Sequence, residues 1–153
     1  MNVVLVNPEI PQNTGNVART CVMTGTALHL AGKLGFSLED RYMRRAGLDY
    51  WEHLDFSYHQ NFEKLHSLYR ERSFYFFSTK GKRLYTDIEY EATDFLVFGS
   101  ETKGLPAYIF EQWTDFSIRI PMIKGIKRSL NLSNSVAVVL FEALRQQGFP
   151  GMG

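Results

Sequence analysis

The stretch NVVLVNPEIPQNTGNVARTCVMTGTALHLA, residues 2–31, decides the fold. Asn2 to Val6 is an aliphatic, β-branched run that stops at Asn7-Pro8, which predicts a buried strand closed by a turn. From Gln12 to Thr24 the apolar residues Val17, Ala18, Cys21 and Val22 fall on one helical stripe, with Asn13, Thr14 or their neighbours as the cap and Gly25 as the stop. Ala27 to Ala31 reads as a second short strand. Neither strand alternates between apolar and polar residues, so both of its faces should be covered, as in a parallel sheet.

The rest of the chain continues the alternation. Strands are expected at Leu54 to Tyr58, Ser73 to Phe77, Asp94 to Phe98 and Phe116 to Ile120. Helices are expected from Asn61 to Arg72, from Ala107 to Trp113 and from about Leu132 to Gln147, the last stopped by Gly148 and Pro150. A short helical stretch should open at Ser37-Leu38-Glu39-Asp40 and run toward Gly47. The fold class is therefore α/β: a largely parallel sheet with helices on both faces, forming one domain over residues 1–153.

Composition narrows the function. A chain of 153 residues with 44% hydrophobic residues can bury roughly 70% of its unfolded surface in one core, so an active site must be compact or shared between subunits. Its apolar runs, such as Val136 to Phe141, fall well short of the roughly 20 residues that cross a bilayer, so no membrane partner is expected. The N-terminus lacks the basic and apolar regions of a secretory signal, which suggests a cytoplasmic protein. Cys21 has no partner cysteine, and the four histidines have no ligand spacing, so no metal is expected. A net charge of +1 excludes a protein that grips nucleic acid through overall basicity alone.

Three segments after predicted strands carry unusual polarity, and ligands of doubly wound sheets collect there. In PEIPQNTGNVAR, Asn13, Asn16 and Arg19 recur every three residues on one helical face, away from the apolar stripe. In FGSETKGLP, Gly99 and Gly104 bracket Glu101 and Lys103, letting backbone approach a ligand. The run from Ile120 through Ser129, Asn131, Ser133 and Asn134 leads into the last helix, and capping explains only one or two of so many polar groups. Two cation clusters, Arg41, Arg44 and Arg45 beside Tyr42, Tyr50 and Trp51, and Lys124, Lys127 and Arg128, suit phosphates and stacked bases. Each feature alone also fits a solvated surface. A nicotinamide-binding fold is disfavoured because GxGxxG is absent.

Taken in order, PEIPQNTGNVART, RRAGLDYWEH, FGSETKGLP and IPM followed by RSLNLSNSVAVVLFEALRQ resemble the SPOUT superfamily of S-adenosyl-L-methionine-dependent RNA methyltransferases. They are most similar to the single-domain TrmL-type enzymes that methylate the ribose 2′-hydroxyl of the tRNA wobble nucleotide, cytidine or uridine 34. The resemblance implies a C-terminal trefoil knot, a rare exception to unknotted topology, and a homodimer with active sites near the subunit interface. It assigns the catalytic and substrate positions to Asn13, Arg19, Glu101 and Asn131. The cofactor, S-adenosyl-L-methionine, would lie against Phe77, Ser78, Thr79, Gly99, Glu101, Gly104, Ile120, Met122, Ser129 and Leu130. The tRNA anticodon stem-loop would meet Arg41, Arg44, Arg45, Lys124, Lys127 and Arg128. Some relatives carry tyrosine where this chain has Phe141. The rivals are an enzyme of the same superfamily acting on ribosomal RNA or another tRNA position, and a catalytically silent RNA-binding module.

Overall fold

In the computed structural model, which describes residues 1–39, 51–126 and 128–153, seven strands form one sheet in the order β3-β2-β1-β6-β4-β7-β5. The strands are β1 (Asn2–Val6), β2 (Ala27–Ala31), β3 (Phe56–His59), β4 (Phe74–Phe77), β5 (Arg83–Leu84), β6 (Phe95–Phe98) and β7 (Ser117–Arg119). Every pairing between them is parallel. The helices are α1 (Pro11–Met23), α2 (Phe62–Leu68), α3 (Ala107–Gln112) and α4 (Leu132–Gln146).

Parity along the strands explains the layers. Successive strand side chains point to opposite faces. Val3 and Leu5 of β1, Leu28 and Leu30 of β2, and Leu96 and Phe98 of β6 join one core with Val17 and Cys21 of α1 and Val136, Val139 and Leu140 of α4. Val4, Val6, Phe74, Phe76, Phe95 and Val97 join a second core with Phe62 and Leu65 of α2 and Ile109 of α3. Burying each such side chain stabilises the fold by about 1.5–3 kcal/mol, and both faces of the sheet are used. The expected α/β class with a parallel sheet covered on both sides is what forms.

Several local expectations need correction. The strand expected at Leu54 to Tyr58 begins at Phe56, after a 3-10 turn at Trp51–His53. Helix α2 stops at Leu68 rather than Arg72: Leu68 is 69% exposed, and the charged residues Arg70, Glu71 and Arg72 offer the core nothing to bury. Its cap is Asn61, whose side chain accepts from the Lys64 amide at 2.9 Å. Asn13 and Thr14 do not cap α1: the N-cap is Ile10, which has no side-chain bond, with Pro11 just inside the helix. The two-residue edge strand β5 was not expected. Of the helical stretch expected to open at Ser37, Leu38 and Glu39 form a turn, and the remainder toward Gly47, with Arg41, Tyr42, Arg44, Arg45 and Tyr50, lies outside the described residues, as does Lys127.

The strand order sets the site. From β1 the chain builds outward through β2 to β3, then returns to the other side of β1 for β4 and β6. The crevice outside the carboxyl ends of β1 and β6 is therefore a topological switch point, where open α/β sheets bind ligands.

Candidate active site

The loops leaving β1 and β6 are neighbours because Leu5 pairs with Phe98 at the last rung of their ladder. After β1 the chain turns at Asn7, held at a φ of 51° that asparagine tolerates, with its side-chain oxygen accepting from the Lys33 amide at 2.8 Å. After β6 the segment bends back on itself: the Ser100 amide donates to the Gly104 carbonyl at 3.1 Å, and the Gly104 amide returns a bond to the Ser100 carbonyl at 2.9 Å. This bend depends on two glycines. A Cβ on Gly99 would overlap the Gly104 carbonyl group and the Leu105 nitrogen, and Gly104 sits at a φ of +67°.

Glu101, at the tip of that bend, supplies what Ile10 cannot. Its carboxylate accepts from the Glu9 amide at 2.8 Å, the Ile10 amide at 3.1 Å and the Asn13 side-chain amide at 3.0 Å. An anionic acceptor thus sits against the amino end of α1, where free N–H groups and the helix dipole favour it. The network continues. The Asn13 oxygen accepts from the Asn131 side-chain amide at 2.9 Å, and the Asn131 oxygen accepts from the Ser133 amide at 2.8 Å and its hydroxyl at 2.7 Å. A carboxylate at one end can only accept and a backbone N–H at the other can only donate, so the orientation of both asparagine amides is fixed. Asn131 caps α4 with the same oxygen.

These loops wall an open cleft of about 1270 Å³. All ten residues expected against the cofactor line it: Phe77 at the end of β4 with Ser78 and Thr79 after it, Gly99, Glu101 and Gly104 after β6, and Ile120, Met122, Ser129 and Leu130 after β7. Asn13, Asn131 and Arg128 line it as well. Arg19 does not: it is exposed two turns further along α1, beside the exposed Asn16. The polar face read as Asn13, Asn16 and Arg19 therefore divides, with Asn13 turned inward at 7% exposure. Lys124 is exposed on a turn outside the cleft wall. Phe141 is 47% exposed on α4, with Val138 beside it at 39%.

The sequence reading passed over Glu9 and Thr102. The Glu9 carboxylate accepts from the Thr102 amide at 3.0 Å and from its hydroxyl at 2.7 and 2.9 Å. The available signal was an acidic residue shortly after each of two apolar strands, Glu9 after β1 and Glu101 after β6, each next to a backbone bend. It also passed over Lys80 and Phe110, which line the cleft together with Lys103.

Other titratable groups stand apart from this site. Cys21 is buried in the core, and burial pushes its thiol up to about 12, so it is no nucleophile at neutral pH. His29 on β2 is buried, with Nδ1 3.2 Å from His59 Nε2 and Nε2 3.3 Å from the Asn2 oxygen. Burial, aided by the neighbouring His59, lowers its pKa to about 4. Among the described residues no cluster of His, Cys, Asp or Glu is arranged to hold a metal ion.

A doubly wound parallel sheet, with a cleft at its switch point walled by glycine-bent turns and interlocked amides, defines an α/β protein built to hold a polar ligand of nucleotide size. The particular family follows from comparison: residues 1–141 match the model of the SpoU rRNA Methylase family, and the chain belongs to that family. It is 48% identical to the tRNA (cytidine(34)-2'-O)-methyltransferase of Yersinia pestis, over 99% of this chain and 96% of that protein. A solved structure described as "Structural insights into the 2-OH methylation of C/U34 on tRNA" is 42% identical, with a TM-score of 0.89, covering 96% of this chain and 95% of that one. The AdoMet-bound rRNA methyltransferase of Sinorhizobium meliloti superposes with a TM-score of 0.83 at 26% identity, covering 94% of this chain and 55% of that one.

Proposed function

We propose that this protein transfers a methyl group from S-adenosyl-L-methionine to the ribose 2′-hydroxyl of the tRNA wobble nucleotide, cytidine or uridine 34. One observation carries the reading. Asn13, Glu101 and Asn131, drawn from three separate motifs, join in one hydrogen-bonded chain on the wall of a single cleft, in a chain 48% identical end to end to an enzyme of that name. The family description names rRNA, but the near-complete match in length and identity to a tRNA enzyme favours tRNA.

The cleft suits the donor. Its walls offer apolar side chains from Phe77, Phe98, Ile120, Met122 and Leu130 for an adenine ring. Backbone groups of the Gly99–Gly104 bend and the hydroxyls of Ser78, Thr79 and Ser129 offer partners for ribose and for an amino-acid end. When bound, the sulfonium supplies an electrophilic methyl carbon for the ribose oxygen. Everything else is the chain's own work. Positioning dominates, because an in-line transfer between two held groups avoids most of the entropic cost of a bimolecular step. The Glu101–Asn13–Asn131 chain holds the loops after β1, β6 and β7 in one arrangement. Arg19 does not act as a base, since a guanidinium stays protonated in proteins. Its role is to hold the phosphate beside the target ribose and to stabilise alkoxide charge as it develops.

Arg19 lies off the cleft of its own chain, so the reading takes the active unit to be a homodimer in which the partner subunit's Arg19 meets the RNA. The exposed Val138 and Phe141 on α4 and Met23 on α1 supply apolar surface for such an interface. In this arrangement Phe141 serves packing rather than chemistry. The C-terminal part is read as threaded into a trefoil knot, supported by the insertion of β7 between β4 and β5 before the chain returns to pack α4 on α1. The anticodon stem-loop would lie over Arg41, Arg44, Arg45, Lys124, Lys127 and Arg128, and the work belongs in the cytoplasm with its substrate.

The test uses two anticodon stem-loops that differ only in carrying ribose or 2′-deoxyribose at nucleotide 34, with a donor labelled in its methyl group. Label should enter the ribose form alone. Equal labelling of both would overturn the assignment.

A further inference from the structure

Beyond the residues the reaction itself requires, the loops after β1 and β6 are stitched together in a reciprocal way. Glu101 accepts the backbone N–H of Glu9, and Glu9 in turn accepts the backbone N–H and the hydroxyl of Thr102. The two carboxylates thus continue the β1–β6 pairing past its last rung, at a point where each backbone has already left the sheet. Thr102 belongs to the bend that forms one wall of the cleft, whereas Glu9 does not line it. Within the bend, the described bonds are the two backbone bonds between Ser100 and Gly104 and a 3.3 Å bond from the Lys103 amide to the Ser100 hydroxyl. Glycine at both ends leaves such a segment free to adopt other shapes. An ionised acceptor bound twice by one residue is a strong local restraint.

We infer that Glu9 is a positioning residue for the methyl-donor cleft, holding the Gly99–Gly104 bend through Thr102 in the shape that receives S-adenosyl-L-methionine. The inference rests on the methyltransferase reading above and adds a residue to it. Glu9 acts through Thr102 and touches no reacting atom. Its loss should therefore weaken the donor while leaving the RNA surface as it was. Losing a charge-assisted pair of bonds that fixes a binding wall corresponds to about a tenfold weakening.

The experiment compares wild type with Glu9→Ala, Thr102→Val and Thr102→Ser. Calorimetry with S-adenosyl-L-methionine gives the donor Kd, hydrogen exchange in the donor-free protein follows the Thr102 amide, and steady-state kinetics give the KM for each substrate. Glu9→Ala should raise the donor Kd and KM about tenfold, speed exchange at the Thr102 amide and leave the KM for tRNA unchanged. Thr102→Val should raise the donor Kd in the same direction, and Thr102→Ser, which keeps the hydroxyl, should restore it. A folded Glu9→Ala protein that binds the donor as wild type does overturns the inference alone. If Glu9→Ala does not fold, the valine and serine pair decides by the same criterion. Wild-type protein that fails to bind S-adenosyl-L-methionine overturns the methyltransferase reading and this inference with it.

Discussion

Replacing Glu101 by glutamine changes one oxygen to an amide and removes one charge, while leaving the shape of the cleft almost untouched. The wild-type carboxylate presents one oxygen to the Glu9 amide at 2.8 Å and the other to the Ile10 amide and the Asn13 side chain at 3.1 and 3.0 Å. All three partners donate. A glutamine can keep its oxygen toward Ile10 and Asn13, but its NH2 then faces the Glu9 N–H, donor against donor. One charge-assisted bond is lost, at about 1.5–3 kcal/mol, and two others fall to neutral strength. The favourable placement of negative charge at the amino end of α1, about 0.3–1 kcal/mol, goes too. Glu101 is half-buried, and solvent screening reduces the sum, so the expected destabilisation is about 2–3 kcal/mol. Urea unfolding followed by circular dichroism should show the midpoint falling by about 1 M or more at unchanged slope. Combining the change with Asn13→Ala should cost less than the two single changes added together, because one weakens and the other removes the same Glu101–Asn13 bond. A midpoint shift below about 0.3 M, or full additivity with Asn13→Ala, would refute the view that this carboxylate clamps the helix to the bend.

Other outcomes follow from the same geometry. Arg19→Ala should abolish methyl transfer while calorimetry shows donor binding intact; loss of donor affinity with transfer retained would contradict its assigned role. Gly99→Ala places a Cβ on rigid backbone at Gly104 and Leu105, so the melting temperature should fall and donor binding should be lost, and retention of both would be the failing result. Replacing Lys124 and Arg128 by glutamine should weaken tRNA binding and flatten its dependence on salt by about one unit of slope per phosphate contact removed. For His29, a folded pKa of about 4 lies below the unfolded value near 6.5, so the unfolded chain binds the proton more tightly and stability is lost as pH falls through that window. The loss should reach about 2 kcal/mol by pH 5, and His29→Gln should remove most of that slope in unfolding experiments at pH 7.5 and pH 5.

Much of this architecture is legible in local pattern. β1 and β2 form over the residues their apolar runs mark, and α4 ends one residue short of the expected Gln147. The three polar segments do meet at one cleft, because strand-following loops of a parallel sheet all emerge at the same end. What local pattern hides depends on distant partners. The acceptor at the head of α1 is Glu101, 91 residues beyond Ile10, and no reading of Ile10-Pro11-Gln12 could find it. Strand β5 is two residues long with an exposed arginine, and it exists because its backbone pairs with β7. The order in which β6, β4 and β7 lie side by side is set by long-range packing, and β4 and β6 are both short aromatic and aliphatic runs, so propensity could not rank the alternatives. Thr102 and Glu9 escaped for the same reason as Glu101's role at α1: their partners lie 93 residues apart.

The most direct test of the central claim is mass spectrometry of tRNA nucleosides and fragments from cells with and without this protein. A 2′-O-methylated cytidine or uridine at nucleotide 34 should be present in the first and absent from the second, and return when the wild-type chain is restored. An unchanged ribose methyl at that nucleotide, or a methyl that moves only on a base or at another position, would contradict the account.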